Sequence, residues 1–338
     1  MKKITGTFPS TSGLCDVHFY IYTPEKPKAL LMLSHGMCEY IERYEDFAKF
    51  LCENDIAFAG NDHIGHGNSI RDEEMLGYFG QEHGYVNMVR DLHRMKTILE
   101  KKFPNIPHFL MGHSMGSFMA RIYLSKYCSV TVPNENCSGC ECTEDAELCE
   151  SCGKYKVLSG GDRWNGAIIM GTAGGITGSA PLRRAMDLIA HNHGDLYRHE
   201  FGAKMVFGMF NLRTANRRTP NDWLSRDDAN VDKYCADPKC NFTFTIAAFR
   251  DLLNALMCAN STPVIENTPT DLPLLFLSGG MDPIGEYGNG VRSAVAKYLS
   301  HGCDVNLRIY REARHELIFE LNRDEVMNDI LEFLVKRI

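Results

Sequence analysis

Residues 112–116 read Gly-His-Ser-Met-Gly, directly after an apolar run from Ile106 to Met111 and ahead of residues with helical apolar spacing, Met115, Phe118, Met119, Ile122 and Tyr123. A G-x-S-x-G in that setting predicts a sharp strand-to-helix turn with Ser114 at its apex. Small residues two before and two after it let strand and helix close on each other, which pushes the Ser114 hydroxyl into a cleft. A serine hydroxyl is a weak nucleophile near neutral pH. Chemistry at Ser114 therefore requires an imidazole to take its proton, a carboxylate to orient that imidazole, and N–H donors for a developing oxyanion.

Where such an elbow occurs, the partners follow along the chain in the order Ser, Asp or Glu, His. Asp282 is the expected acid, because Met281-Asp282-Pro283 follows the short apolar run Leu272 to Gly280, where a parallel strand presents its C-terminal end. His315 is the expected base, reached after the alternating run Val305 to Tyr310 and just before another helical stretch. Of the thirteen histidines only His301 also follows Asp282, and it falls at a helix end ahead of the last strand. The oxyanion donors are expected to be the backbone N–H of Met115, after the nucleophile, and that of Met37, in the loop after the strand-like run Ala29 to Ser34. Cys38 beside that loop reads as a buried small residue rather than a reactive thiol.

These groups need a scaffold. Strand-like runs alternate with helical stretches at 41–53, 85–102, 115–127, 288–299 and 323–337, which predicts an α/β fold with a mostly parallel central sheet covered by helices on both faces. The 338 residues suffice for one large domain, expected to comprise 1–127, 163–174 and 268–338. Two segments interrupt it. Residues 175–267 are expected to form a helical cap, with Met- and Phe-rich stretches at 185–190 and 204–212 that pack it on the sheet and favour a lipid-like ester over a charged substrate. Asn221 to Asp227 is expected to fix that cap and to have no catalytic role.

The second segment, 128–162, is rich in cysteine: six of thirteen fall between Cys128 and Cys152. Cys137, Cys140, Cys149 and Cys152 form two C-x2-C pairs eight residues apart, a spacing suited to a structural zinc ion held by four thiolates. A redox-active or disulfide-linked loop and an insert with uncommitted thiols are the competing readings. Four thiolate ligands leave no position for water, so hydrolysis itself is expected to need no cofactor. A net charge of -7 argues against nucleic acid as a partner. No apolar run approaches the roughly 20 residues that span a bilayer, and no apolar leader follows the initial basic residues, so a cytoplasmic location is expected.

Several motifs together carry a family resemblance: Ser34-His-Gly-Met-Cys-Glu-Tyr40 with Arg43-Tyr44, Asn61-Asp-His-Ile-Gly-His-Gly-Asn-Ser69, Gly112-His-Ser-Met-Gly116, Leu277-Ser-Gly-Gly-Met-Asp-Pro283 and Tyr310-Arg-Glu-Ala-Arg-His-Glu316. The chain resembles the monoacylglycerol lipase and lysophospholipase branch of the α/β-hydrolases, also called serine aminopeptidase-like. His35-Gly36 resembles the HG turn of that superfamily. The resemblance implies Ser114, Asp282 and His315 as the triad, and a lipid-like ester such as a monoacylglycerol or lysophospholipid as substrate, with transient contact between cap and membrane surface. Hydrolysis of an amide or peptide bond is the alternative within hydrolases. A binding module without catalysis would ordinarily lack a triad member, and none is missing.

Overall fold

The computed structural model describes residues 1–133, 155–175, 179–199, 210–214 and 217–338. Eight strands form one sheet in the order β1 (Lys2–Pro9), β2 (Asp16–Thr23), β4 (Ile56–Asn61), β3 (Ala29–Ser34), β5 (His108–His113), β8 (Gly166–Met170), β9 (Leu274–Gly279) and β10 (Val305–Tyr310). Within this sheet, among the described residues, only β1–β2 and β2–β4 pair antiparallel, and every pair in the order from β4 to β10 is parallel. The parallel sheet expected from the alternation is present. The antiparallel hairpin β1–β2 extends it beyond what the alternation predicted.

Every residue of β3, β4, β5, β8 and β9 is buried, as strands covered on both faces must be. Their side chains divide by alternation. Leu30, Met32, Leu110 and Phe276 enter a core shared with α2 (Gly84–Lys102), α3 (Met115–Tyr127) and α8 (Asn289–Ser300), whereas Leu31, Leu33, Phe109 and Leu277 enter one shared with α1 (Glu45–Glu53) and α9 (Arg323–Val335). Between β8 and β9 the described regular elements are helices alone: α4 (Ser179–His193), α5 (Asp228–Ala236), α6 (Ile246–Ala259) and α7 (Thr262–Glu266). They occupy the interval read as the cap. Residues 204–209 of its Met- and Phe-rich stretch lie outside the described residues, and in α4 Leu188 is exposed rather than packed on the sheet.

A separate two-stranded ladder, β6 (Ser129–Pro133) with β7 (Tyr155–Ser159), follows α3. Its return is pinned to the core: Gly160 N–H donates to Cys128 O (2.8 Å), Asp162 N–H to Tyr127 O (2.9 Å), and Asn165 N–H to His108 O (2.7 Å). Cys137, Cys140, Cys149 and Cys152 lie outside the described residues; among the described residues no three His, Cys, Asp or Glu side chains are placed to hold a metal ion together.

Candidate active site

The carboxyl ends of parallel strands point their following loops into one crevice, and three such loops meet here. Ser114 follows β5 directly and adopts φ 51°, ψ -120°, a region L-residues rarely occupy. Sterics hold it there. A Cβ on Gly112 would lie 2.5 Å from Gly116 O and 2.7 Å from the Ala120 Cβ, and one on Gly116 would lie 2.0 Å from Ser34 O. The chain must therefore be glycine on both sides of the turn, and Ser114 N–H is anchored on Met170 O of β8 (2.9 Å).

The loops after β9 and β10 interlock. Gly280 N–H donates to Tyr310 O and Met281 N–H to Ala313 O, and a Cβ on Gly279 would stand 2.1 Å from Arg314 O. This brings Asp282 and His315, both buried, side by side. His315 Nδ1–H donates to Asp282 Oδ2 at 2.9 Å; the other carboxylate oxygen accepts Ile284 N–H at 2.8 Å. With Nδ1 carrying the proton, His315 Nε2 is left as the acceptor for Ser114 Oγ–H at 2.8 Å. Ser114, His315 and Asp282 thus form one hydrogen-bonded line. His301 caps α8 away from this line.

Beside the nucleophile runs the loop after β3. A Cβ on Gly36 would come within 3.0 Å of the Ser114 Cβ, which sets Gly36 against Ser114, while Met115 N–H opens α3 just past it. Cys38 in this loop is buried, and burial pushes its thiol well up, away from the reactive thiolate.

Three features of the site carry no role in the spacing argument. The Trp223 ring of the cap lies 5.1 Å from that of His315, in the stretch expected only to fix the cap. That stretch also does fix it: Glu316 N–H donates to Leu224 O (2.7 Å), and Arg226 Nε pairs with buried Glu320 (2.8 Å). Next, Arg43 is forked onto Glu316 (2.8 and 3.0 Å) and also reaches Glu39 (3.0 Å). Glu39 accepts His113 Nδ1–H at 2.8 Å. Burial opposes ionisation of this carboxyl, yet His113 and Arg43 hold it well below the usual carboxylate range. Last, His35, His63 and His66 stack together without solvent contact, with His35 Nδ1–H on Gly36 O (2.8 Å) and His35 Nε2 accepting His63 N–H (2.8 Å). The residues of both clusters are present in the motif strings; the signal that could have found them is charge or imidazole at several positions of an otherwise apolar loop.

An open sheet of this order, an elbow after β5, and an acid and a histidine after the last two strands define the α/β-hydrolase class. Residues 25–132 and 154–322 match the family described as "Serine aminopeptidase, S33", and the chain belongs to that family. The match breaks across the cysteine-rich segment. The chain is 29% identical over 311 residues to the monoglyceride lipase of Rattus norvegicus, covering 90% of this chain and 80% of that protein. Among solved structures, a thermostable carboxyl esterase from Bacillus coagulans in complex with glycerol aligns with a TM-score of 0.83 at 26% identity, over 100% of this chain and 99% of its own. A soluble variant of the monoglyceride lipase of Saccharomyces cerevisiae shares the fold with a TM-score of 0.66 at 17% identity, over 96% of this chain and 92% of its own. Among the described residues no helix is long and apolar enough to cross a membrane.

Proposed function

We propose that this protein is a serine hydrolase that cleaves carboxylic esters of lipid-like substrates, a monoacylglycerol or lysophospholipid. The observation that carries the reading is the Ser114–His315–Asp282 line, at 2.8 and 2.9 Å, on an elbow held at positive φ. Ser114 Oγ attacks the ester carbonyl as His315 Nε2 takes its proton. Asp282 keeps Nδ1 protonated and stabilises the imidazolium. The N–H groups of Met37 and Met115 receive the oxyanion, an arrangement in which one lost donor typically costs on the order of 3 kcal/mol. The imidazolium then protonates the leaving alcohol, and water activated by His315 releases the acid from the acyl-enzyme.

The relatives' names support an ester of glycerol, since this chain covers most of a monoglyceride lipase. The family's description supports amide cleavage as the second reading. A panel of p-nitrophenyl esters of rising chain length, a monoacylglycerol, a lysophospholipid and an aminoacyl amide separates them. The expected result is turnover of the glycerol and lysophospholipid esters with fluorophosphonate labelling of Ser114; turnover of the amide alone would select the other reading, and labelling retained in Ser114→Ala would remove Ser114 as nucleophile.

Three further parts belong to the same proposal. Cys137, Cys140, Cys149 and Cys152 hold one structural zinc ion, supported by their paired spacing, and elemental analysis showing less than half an equivalent would refute it. The cap touches membrane surface transiently, supported by exposed Leu182, Leu188, Leu196 and Leu212 within it. A cytoplasmic setting is supported by eight free thiols among the described residues; fractionation of cells expressing the tagged chain checks it.

A further inference from the structure

Glu39 links the loop after β3 to His113, the residue before Ser114, and through Arg43 to Glu316, the residue after His315. Its carboxylate accepts Gly36 N–H at 2.5 Å, closing the turn from residue 36 to 39 through a side chain, with Cys38 between them at φ 54°. Gly36 is squeezed: a Cβ there would meet Glu39 Oε1 at 2.6 Å on one side and the Ser114 Cβ at 3.0 Å on the other. The same carboxylate takes Tyr44 O–H (2.9 and 3.1 Å) and His113 Nδ1–H, and His113 is the residue immediately before the nucleophile. Arg43 then ties Glu39 to Glu316, the residue immediately after His315, and Asn230 of α5 donates to Glu316 (3.1 Å) from the cap.

Glu39–His113 is thus a second carboxylate–imidazole pair beside Asp282–His315, the two rings 5.1 Å apart. It touches no reacting atom, because its imidazole Nδ1 faces Glu39 and Tyr44 rather than Ser114 Oγ. What it does fix is where the loop carrying Met37 N–H stands. Without Glu39 the peptide before Gly36 would lose its anchor, and the Gly36–Met37 plane that carries the donor would be held only through Gly36 O on His35 Nδ1–H (2.8 Å); an oxyanion donor is worth its full amount only when it is aimed before the reaction begins.

We propose that Glu39 is a positioning residue for oxyanion stabilisation, fixing the turn from Gly36 to Glu39 against Ser114, with Arg43 extending that hold to the His315 loop and the cap. This rests on the hydrolytic reading above. Glu39, Tyr44, His113 and Glu316, which make this hold, are all buried.

The test compares Glu39→Gln, which keeps an acceptor for Gly36 N–H and the side-chain shape but loses the charge, with Glu39→Ala, which loses both. Active sites are counted by fluorophosphonate titration, and kcat and KM are measured per titrated site on p-nitrophenyl butyrate. Expected is a kcat about ten-fold lower for Glu39→Gln and on the order of a hundred-fold lower for Glu39→Ala, with KM within about two-fold of wild type in both. Partial rescue by glutamine separates aiming of the loop from mere loss of folded protein, which titration already removes. If Glu39→Ala does not fold, the glutamine variant decides alone. Wild-type kcat per titrated site in Glu39→Gln, or a loss confined to KM, overturns the proposal while leaving the hydrolase intact. Wild-type protein that fluorophosphonate does not label at Ser114 overturns both.

Discussion

Ser114 and His315 meet across 2.8 Å, yet the two sides of that contact are built by opposite means. The Ser114 side is held by exclusion: Gly112 and Gly116, two residues either side of it, lack the Cβ atoms that would keep β5, α3 and the end of β3 apart. The His315 side is held by pairing. Asp282, Trp223, Leu224 and the Arg43–Glu316 fork reach it from 33 to 273 residues away, and Arg314 and Arg226 lace its loop to the cap. Ser114, fixed by close backbone approach, does not depend on how the cap sits. The His315 imidazole, fixed by remote partners that include the cap, does.

Gly116→Ala tests this contrast at its stiffest point and carries the largest expected effect. The added methyl would sit 2.0 Å from Ser34 O and 2.4 Å from His35 O, both backbone atoms that cannot rotate away. Overpacking of this kind costs about 1–3 kcal/mol or more, and here it displaces β3 and the loop with Met37. We expect thermal stability and esterase activity to fall together, with activity per folded molecule down by at least about a hundred-fold. An alanine variant with full activity would mean that the elbow is not held by close approach.

The same contrast governs what could be read from residue order alone. The elbow, the order of Ser114, Asp282 and His315, and the strands Ala29–Ser34 and Val305–Tyr310 were legible because each depends on short-range patterns: alternation, glycine spacing and strand-then-loop order. The hairpin β1–β2 was not, since β1 is largely exposed and lacks an apolar signature. Nor were Trp223 and the Glu39–Arg43–Glu316 string, whose meaning comes from partners that only the fold brings near. Cys137, Cys140, Cys149 and Cys152 keep their ligand-like spacing as the one argument for what they do.

Polar pairing also makes the loop beside Ser114 sensitive to acid. Burial, the first cause in each case, pushes His35 down to about 4 and His66 down to about 3, and His63 well below its ordinary value. The folded state therefore refuses protons that the unfolded chain accepts near 6.5, so stability is fully present above about pH 6.5 and is lost as pH falls from there toward 4 and then 3. At about pH 5 each such ring costs roughly 2 kcal/mol relative to neutral pH. His66 is ringed by Phe79, Phe242 and Phe244, so His66→Phe removes one titrating ring in an apolar setting. Its melting temperature should fall less than wild type between neutral pH and pH 5. An equal or steeper fall would show that these imidazoles do not govern acid sensitivity in this range, since the depressed Glu39 carboxylate gives up its stability only below about pH 4.5.

The smallest expected effect lies with exposed leucines of the cap. The cap is tied to the core by ion pairs and backbone bonds. Among the described residues of the cap, Leu188 and Leu212 are 62% and 69% exposed. Fully burying a leucine is worth about 1.5–3 kcal/mol, and a headgroup layer covers a side chain only in part, so each should contribute a fraction of that to docking. Leu188→Ser with Leu212→Ser is thus expected to weaken co-sedimentation with phosphatidylcholine vesicles several-fold and to slow hydrolysis of a monoacylglycerol presented in them. Hydrolysis of a water-soluble short ester should not change, because neither side chain touches the latches that seat the cap on His315. Equal losses on both substrates would place these leucines among the groups that seat the cap; no loss on either would leave the membrane contact without support.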